Sequence, residues 1–278
     1  MSASLPLIDI GSNLLDEKFG GFYNGKQRHE PDLHLVLERA SAVCDRVIST
    51  SGTIEESARN LELLEGIQGK APALFTTVGV HPTRSGEGTE GMEDLIRSNY
   101  FGNGSSSGGK VVALGELGLD YDRLEFSDKD TQHSNLMSQL QVNERLMESG
   151  INLPLFLHSR SCGTDLLNIL KSTKGKCWST GVVHSFDSTI SLAEDYMDLG
   201  LYIGLNGCSL KTDENLEVVR KVSTSCWRVP RRLFPAPVTL FGSTRLRLIP
   251  PPCPPCPPCP AFHRNIPAIF HNLLRSFH

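Results

Sequence analysis

Five ionisable side chains interrupt short apolar runs of this chain. Asp9 lies in Ile8-Asp9-Ile10-Gly11-Ser12-Asn13, His81 in Val78-Gly79-Val80-His81-Pro82 and Glu116 in Ala113-Leu114-Gly115-Glu116-Leu117. His158 closes Leu155-Phe156-Leu157-His158, and His184 closes Gly181-Val182-Val183-His184. Imidazole and carboxylate together form a donor set for divalent ions of borderline hardness. An ion held that way makes water nucleophilic near neutral pH and neutralises charge on the reacting oxygens of an ester or phosphodiester. A single histidine at the end of an apolar run is more often a satisfied structural residue than a ligand. Repetition over five runs is what points to a metal centre.

For these groups to meet, the runs carrying them must be parallel strands that end on one side. Seven candidate strands, at residues 5–11, 45–51, 73–80, 111–120, 153–160, 180–186 and 200–207, alternate with amphipathic helical stretches. That alternation predicts an α/β fold of the (β/α)₈ TIM-barrel type, with a doubly wound parallel sheet as the alternative. In a barrel, the C-terminal strand ends share the rim on which sites are built. Helix starts are expected at Thr53 with Glu56 as a capping box, at Pro31 in a first turn and at Ser127 as a cap. The Gly/Ser stretch at 102–109 reads as a surface loop, and His29, His34 and His133 as solvated surface residues.

The segments Asp9-Ile10-Gly11-Ser12-Asn13-Leu14, Gly79-Val80-His81-Pro82, Gly115-Glu116-Leu117-Gly118-Leu119-Asp120-Tyr121, Pro154-Leu155-Phe156-Leu157-His158-Ser159-Arg160 and His184-Ser185-Phe186 resemble, in order and spacing, the signature segments of the TatD deoxyribonucleases. The resemblance covers residues 5–222. It implies a TIM-barrel metallohydrolase that removes nucleotides from DNA in the 3′-to-5′ direction, with magnesium as the ion and manganese or zinc as alternatives. It makes Glu116, His158 and His184 metal ligands and Glu116 and Asp9 catalytic residues. Where many relatives carry Asp-x-His-x-His, this chain has Gly11 and Asn13 in place of the two histidines. Arg160 either holds a substrate phosphate or forms a rim ion pair. His81 is assigned to phosphate or a second ion, and Asp120 and Asp187 to orienting the groups that meet substrate.

One segment of the pattern is missing. The family requires an eighth strand with a Glu-Thr-Asp-x-Pro segment, yet after Lys221-Val222 the chain reads Ser223-Thr224-Ser225-Cys226-Trp227-Arg228 and holds no Asp or Glu beyond Glu217. Residues 1–217 carry all 31 acids and 18 of the 27 Lys and Arg, a net of 18 − 31 = −13, whereas the last 61 residues hold nine bases and 12 of the 17 prolines. The step divides the chain into a barrel over 1–222 and a Pro-rich basic tail over 223–278, expected to be disordered and to follow from a frameshift, alternative splicing or a gene-model error. Cys253, Cys256 and Cys259 recur every three residues within it, but stiff polyproline cannot wrap three thiolates around one ion.

An acidic body excludes gripping nucleic acid by a broad basic face, so a metal must supply the local positive charge. No apolar run is long enough for a membrane span and no signal peptide precedes the first strand. The scattered body cysteines suit a reducing compartment, giving a cytoplasmic or nuclear protein as the expectation. Three functions stay open: a metal-dependent deoxyribonuclease, an amidohydrolase-like hydrolase of another substrate, and a weakened or inactive form lacking the final Asp.

Overall fold

The computed structural model describes residues 7–101, 109–225 and 240–241. Strands β1 (Leu7–Ser12), β2 (Cys44–Ser49), β3 (Ala73–Val78), β4 (Val111–Asp120), β5 (Leu155–Arg160), β6 (Gly181–Val183), β7 (Tyr202–Leu205) and β8 (Leu240–Phe241) stand side by side in chain order. Every neighbouring pair is parallel. Helices α1 (Leu33–Ala40), α2 (Ile54–Gly66), α3 (Met92–Asn99), α4 (Lys129–Glu148), α5 (Asp165–Thr173), α6 (Ile190–Asp198) and α7 (Asp213–Ser225) fill the crossovers. Unreversed chain order is the arrangement of the TIM barrel; a doubly wound sheet would reverse at a switch point. None of the described helices is long and apolar enough to cross a membrane.

Among the described residues the eighth position holds Leu240–Phe241, paired with Gly204 and Leu205. The tail therefore contributes a short strand, which comes alongside β1, although no ladder joins β8 to β1 among the described residues. Helix α7 runs to Ser225, past the expected boundary at 222. The rest of the expected tail, with Cys253, Cys256 and Cys259, lies outside the described residues, as do residues 102–108 of the Gly/Ser loop.

Two-residue alternation sorts the strands into an inner and an outer face. Ile8, Ile10, Ile48, Ala113, Phe156 and Val182 pack together inside the curved sheet. Leu114, Leu117, Leu155 and Leu157 face outward and are buried under Leu136, Leu140 and Leu146 of α4 and Leu166 and Leu170 of α5. Thr53 caps α2 as expected, accepting from the Glu56 amide, while the Glu56 carboxylate accepts from Gly52. Two caps fall elsewhere. Asp32 precedes α1, leaving Pro31 outside its first turn, and Asp128 caps α4 by accepting from Thr131 at 2.8 Å. A carboxylate is a stronger acceptor at the positive end of a helix than the neighbouring Ser127 hydroxyl, which is buried without a partner among the described residues.

β4 and β5 approach closely at Gly118. Its φ is +146°, and a Cβ there would lie 2.0 Å from the His158 carbonyl oxygen. We expect Gly118→Ala to cost at least about 2 kcal/mol in urea denaturation, since strained backbone and a backbone clash combine. A loss below about 0.5 kcal/mol, the level of a neutral surface substitution, would show that the two strands can part freely.

Candidate metal centre

Glu116 reaches the barrel interior through an irregularity in β4. Gly115 pairs with Phe156 and Leu117 with Leu157, so Glu116 is an extra residue without a partner in β5. Such a bulge re-aims one side chain out of the regular alternation. Its amide donates instead to the Ser51 carbonyl at 3.0 Å. The room this requires comes from Gly79 on β3's C-terminal side, where a Cβ would stand 2.4 Å from the Gly115 carbonyl carbon.

Three imidazoles surround the carboxylate. Glu116 Oε1 lies 2.6 Å from His184 Nε2, 2.8 Å from His158 Nδ1 and 3.4 Å from His81 Nε2. The ligand atoms of His81, Glu116 and His158 all lie within 4.8 Å of one another, the one such group among the described residues. His184, expected as a ligand, touches the same carboxylate oxygen and stacks on Phe156 with ring centroids 4.6 Å apart. His81 is not inside its strand: it follows β3 and begins a 3₁₀ turn over Pro82–Glu87, its Nδ1 accepting from the Thr83 amide at 3.2 Å.

Each ring is oriented from its far side, as ligating histidines require. His158 Nε2 meets Asp120 Oδ2 at 3.0 Å, and His184 Nδ1 meets the Ser185 hydroxyl at 2.9 Å, itself hydrogen bonded by Asn206 Nδ2. Asp120 is fully buried, and Gln132 of α4 grips both its amide and its carbonyl at 2.8 Å. One heptad on, Gln139 grips the amide and carbonyl of Val80, next to His81, at 2.9 Å. These two glutamines were not singled out in the sequence. Their signal is a buried amide recurring every seven residues on the apolar face of a helix.

Burial raises the Glu116 carboxyl, but electrostatic attraction to His184 and hydrogen bonds from His158 and His184 outweigh it and hold Glu116 well below the usual range. Burial likewise opposes charge on His158, yet its bonds to Asp120 and Glu116 prevail and push it up to about 9. At His81 burial wins over the attraction of Glu116, and the ring is pushed down to about 4. The pocket thus carries two carboxylates and holds a proton on His158 between them. Clustered nitrogen and oxygen donors that attract positive charge fit a divalent cation.

Asp9 stands apart from this cluster. Ile8 and Ile10 point inward, and Asp9 pairs in register with Val47, which faces α1 and α2. Asp9 Oδ1 accepts from the Gly11 amide and Oδ2 from the Ser12 hydroxyl, bracing the register shift between Asp9 and Ser12. A carboxylate at this position faces outward because the shift comes after it. Arg160 forms the rim ion pairs, with Asp122 and Asp187, both at 3.1 Å. His133 is bonded to the Tyr121 hydroxyl, while His34 is exposed as expected.

The chain is also similar to known proteins. The family model described as TatD related DNase matches residues 8–227. The chain is 40% identical to the deoxyribonuclease Tat-D of Schizosaccharomyces pombe over 224 residues, 79% of this chain and 69% of that one. It is 29% identical to the 3′-5′ ssDNA/RNA exonuclease TatD of Salmonella typhimurium over 76% of this chain and 72% of that one. The crystal structure of a TatD family hydrolase from Entamoeba histolytica superposes with a TM-score of 0.68 at 37% identity, covering 79% of this chain and 71% of the other.

Because a cation must displace the proton held on His158 near pH 9, metal affinity should climb with pH and each bound ion should release a proton. Calorimetric titration of Mn²⁺ in buffers of different ionisation enthalpy should show affinity rising roughly tenfold per pH unit between 7 and 9. A flat affinity without proton release would mean that the ion binds elsewhere.

Proposed function

The chain belongs to the TatD related DNase family, and from that premise we propose that it hydrolyses phosphodiester bonds of DNA, releasing nucleotides from a 3′ end with a divalent ion held by Glu116, His158 and His184. Magnesium is the ion proposed, with manganese or zinc as alternatives. The observation that carries this reading is the single carboxylate oxygen of Glu116 ringed by His184, His158 and His81 at 2.6, 2.8 and 3.4 Å. When bound, the ion makes water nucleophilic and neutralises charge on the phosphoryl oxygens.

The protein's own groups do the positioning. Asp120 keeps the His158 ring directed at Glu116, and the Ser185–Asn206 pair does so for His184. His81 is neutral at physiological pH, its Nδ1 occupied by Thr83, so its Nε2–H can donate to a phosphate oxygen. Arg160, 37% exposed, takes a phosphate oxygen in exchange for one of its two carboxylates, and Asp187 holds the guanidinium in place meanwhile. Asp9 acts indirectly, by fixing the end of β1.

A second reading, a form that binds but turns over weakly or not at all, rests on the chain's having no acid after Glu217. Water activation then falls to the carboxylates already in the cluster. End-labelled single-stranded DNA incubated with the purified chain and Mg²⁺ or Mn²⁺ should shorten progressively, and EDTA should stop it. Glu116→Gln should slow it by on the order of 10²–10⁴-fold. Folded wild-type protein that leaves DNA intact with both metals would instead establish the non-catalytic reading, and turnover of amide or carboxylic-ester substrates alone would establish the amidohydrolase one.

A further inference from the structure

The β1–α1 connection carries a feature that the metal centre does not use. Phe22–Tyr23 and Lys26–Gln27 pair as an antiparallel hairpin outside the main sheet. It emerges after the C-terminal end of β1, on the side where Glu116, His158 and His184 converge. Residues 22–28 are all exposed, with Phe22 at 41% and Tyr23 at 40%. Burial therefore does not account for two adjacent aromatic rings here, nor does a two-stranded hairpin hold together by itself.

The base of the hairpin is built to hold it. Gly21 has a left-handed φ of +89°, and a Cβ there would fall 1.8 Å from the His29 carbonyl oxygen. The Arg28 amide donates to the Gly21 carbonyl at 2.7 Å, and the Asp32 amide to that of Phe19 at 3.0 Å. The Tyr23 ring leans on His29 with centroids 5.7 Å apart. The aromatic tip is thus anchored at both ends.

Charge completes the pattern. From Lys18 to His29 the sequence holds three cations, Lys18, Lys26 and Arg28, and no acid, within a body whose net charge over residues 1–217 is −13. Lys18 is paired with Asp16, whereas Lys26 and Arg28 have no carboxylate partner among the described residues. Phe126, exposed in the connection after β4, lies in a segment whose four acids, Asp122, Glu125, Asp128 and Asp130, outnumber Arg123 and Lys129, a balance that repels a polyanion. Rings that accept unpaired bases beside cations that meet phosphates are how single strands are held without sequence preference.

We propose that the Phe22–Gln27 hairpin together with Arg28 is a docking site for single-stranded polynucleotide, gripping the strand beyond the bond at the metal centre. The site rests on the phosphodiesterase reading above for its place in the reaction, but binding to it requires no turnover. By strand alternation Tyr23 shares a face with Lys26 and Arg28, so it stacks on a base while they meet the backbone, and Phe22 offers its ring to a further base from the other face. Duplex, whose bases are already stacked, gains only the backbone contacts.

The test uses the full chain as Phe22→Ala/Tyr23→Ala and as Lys26→Ala/Arg28→Ala, with circular dichroism confirming that each folds. Anisotropy of a labelled oligothymidylate should show binding weakened roughly tenfold or more by the aromatic pair. The cationic pair should also lower the slope of log affinity against log salt by about 1.4. Hydrolysis of bis(p-nitrophenyl) phosphate, which has no strand to reach the hairpin, should stay at the wild-type rate in both variants. Variants that bind and degrade the oligonucleotide like wild type would overturn the hairpin site and leave the phosphodiesterase reading standing. If wild type hydrolyses neither substrate, that reading fails, and the anisotropy comparison still decides the hairpin.

Discussion

A carboxylate buried among imidazoles is the constraint on which the rest of this structure turns. Removed from water, Glu116 would be neutral or would oppose folding, because an isolated charge in the interior is costly. The cluster resolves this by placing three ring nitrogens around one oxygen and a second carboxylate, Asp120, behind the His158 ring. Two negative groups with one proton between them form a cavity that attracts cations. The same arrangement explains why His81 and His158 are shifted in opposite directions: one ring has two carboxylates to meet and the other mainly loses water.

Holding such a cluster requires rigid backbone, and the chain obtains it from amides rather than from more apolar packing. Gln132 and Gln139 project from α4 one heptad apart and each satisfies both polar groups of a peptide beside the site. A buried glutamine with both ends used adds no unsatisfied group and fixes direction as well as distance. Asn60 works similarly beneath β2, joining the hydroxyls of Ser49 and Ser51 at 2.8 Å. Gly79 and Gly118 contribute by having no side chain, which lets backbones approach where the strands carry functional residues.

Charge divides the labour around this centre. The body over residues 1–217 is strongly acidic, so among its described residues the acid-free β1–α1 hairpin and the rim guanidinium of Arg160, itself shared by Asp122 and Asp187, are places where a polyanion meets positive charge. At the opposite seam of the sheet the described part of the eighth strand is Leu240–Phe241, which carries no carboxylate. Among the described residues, the clustered carboxylate and imidazoles come from β4 and β5 and from the turns that follow β3 and β6.

Much of this could be read directly from residues. Alternating apolar runs marked all seven main strands, and histidines at run ends marked the rim, because strand burial and ligand type both leave local signatures. The sequence alone did not reveal the direction of Asp9, which depends on a register shift, or the grip of the two glutamines, whose targets lie 12 and 59 residues away. Nor did it reveal which carboxylates, Asp122 and Asp187, stand beside Arg160. By itself the sequence determined which groups could do chemistry and on which kind of scaffold; only the tertiary structure decided which of them meet, since a one-residue bulge turns a side chain from one face of a strand to the other.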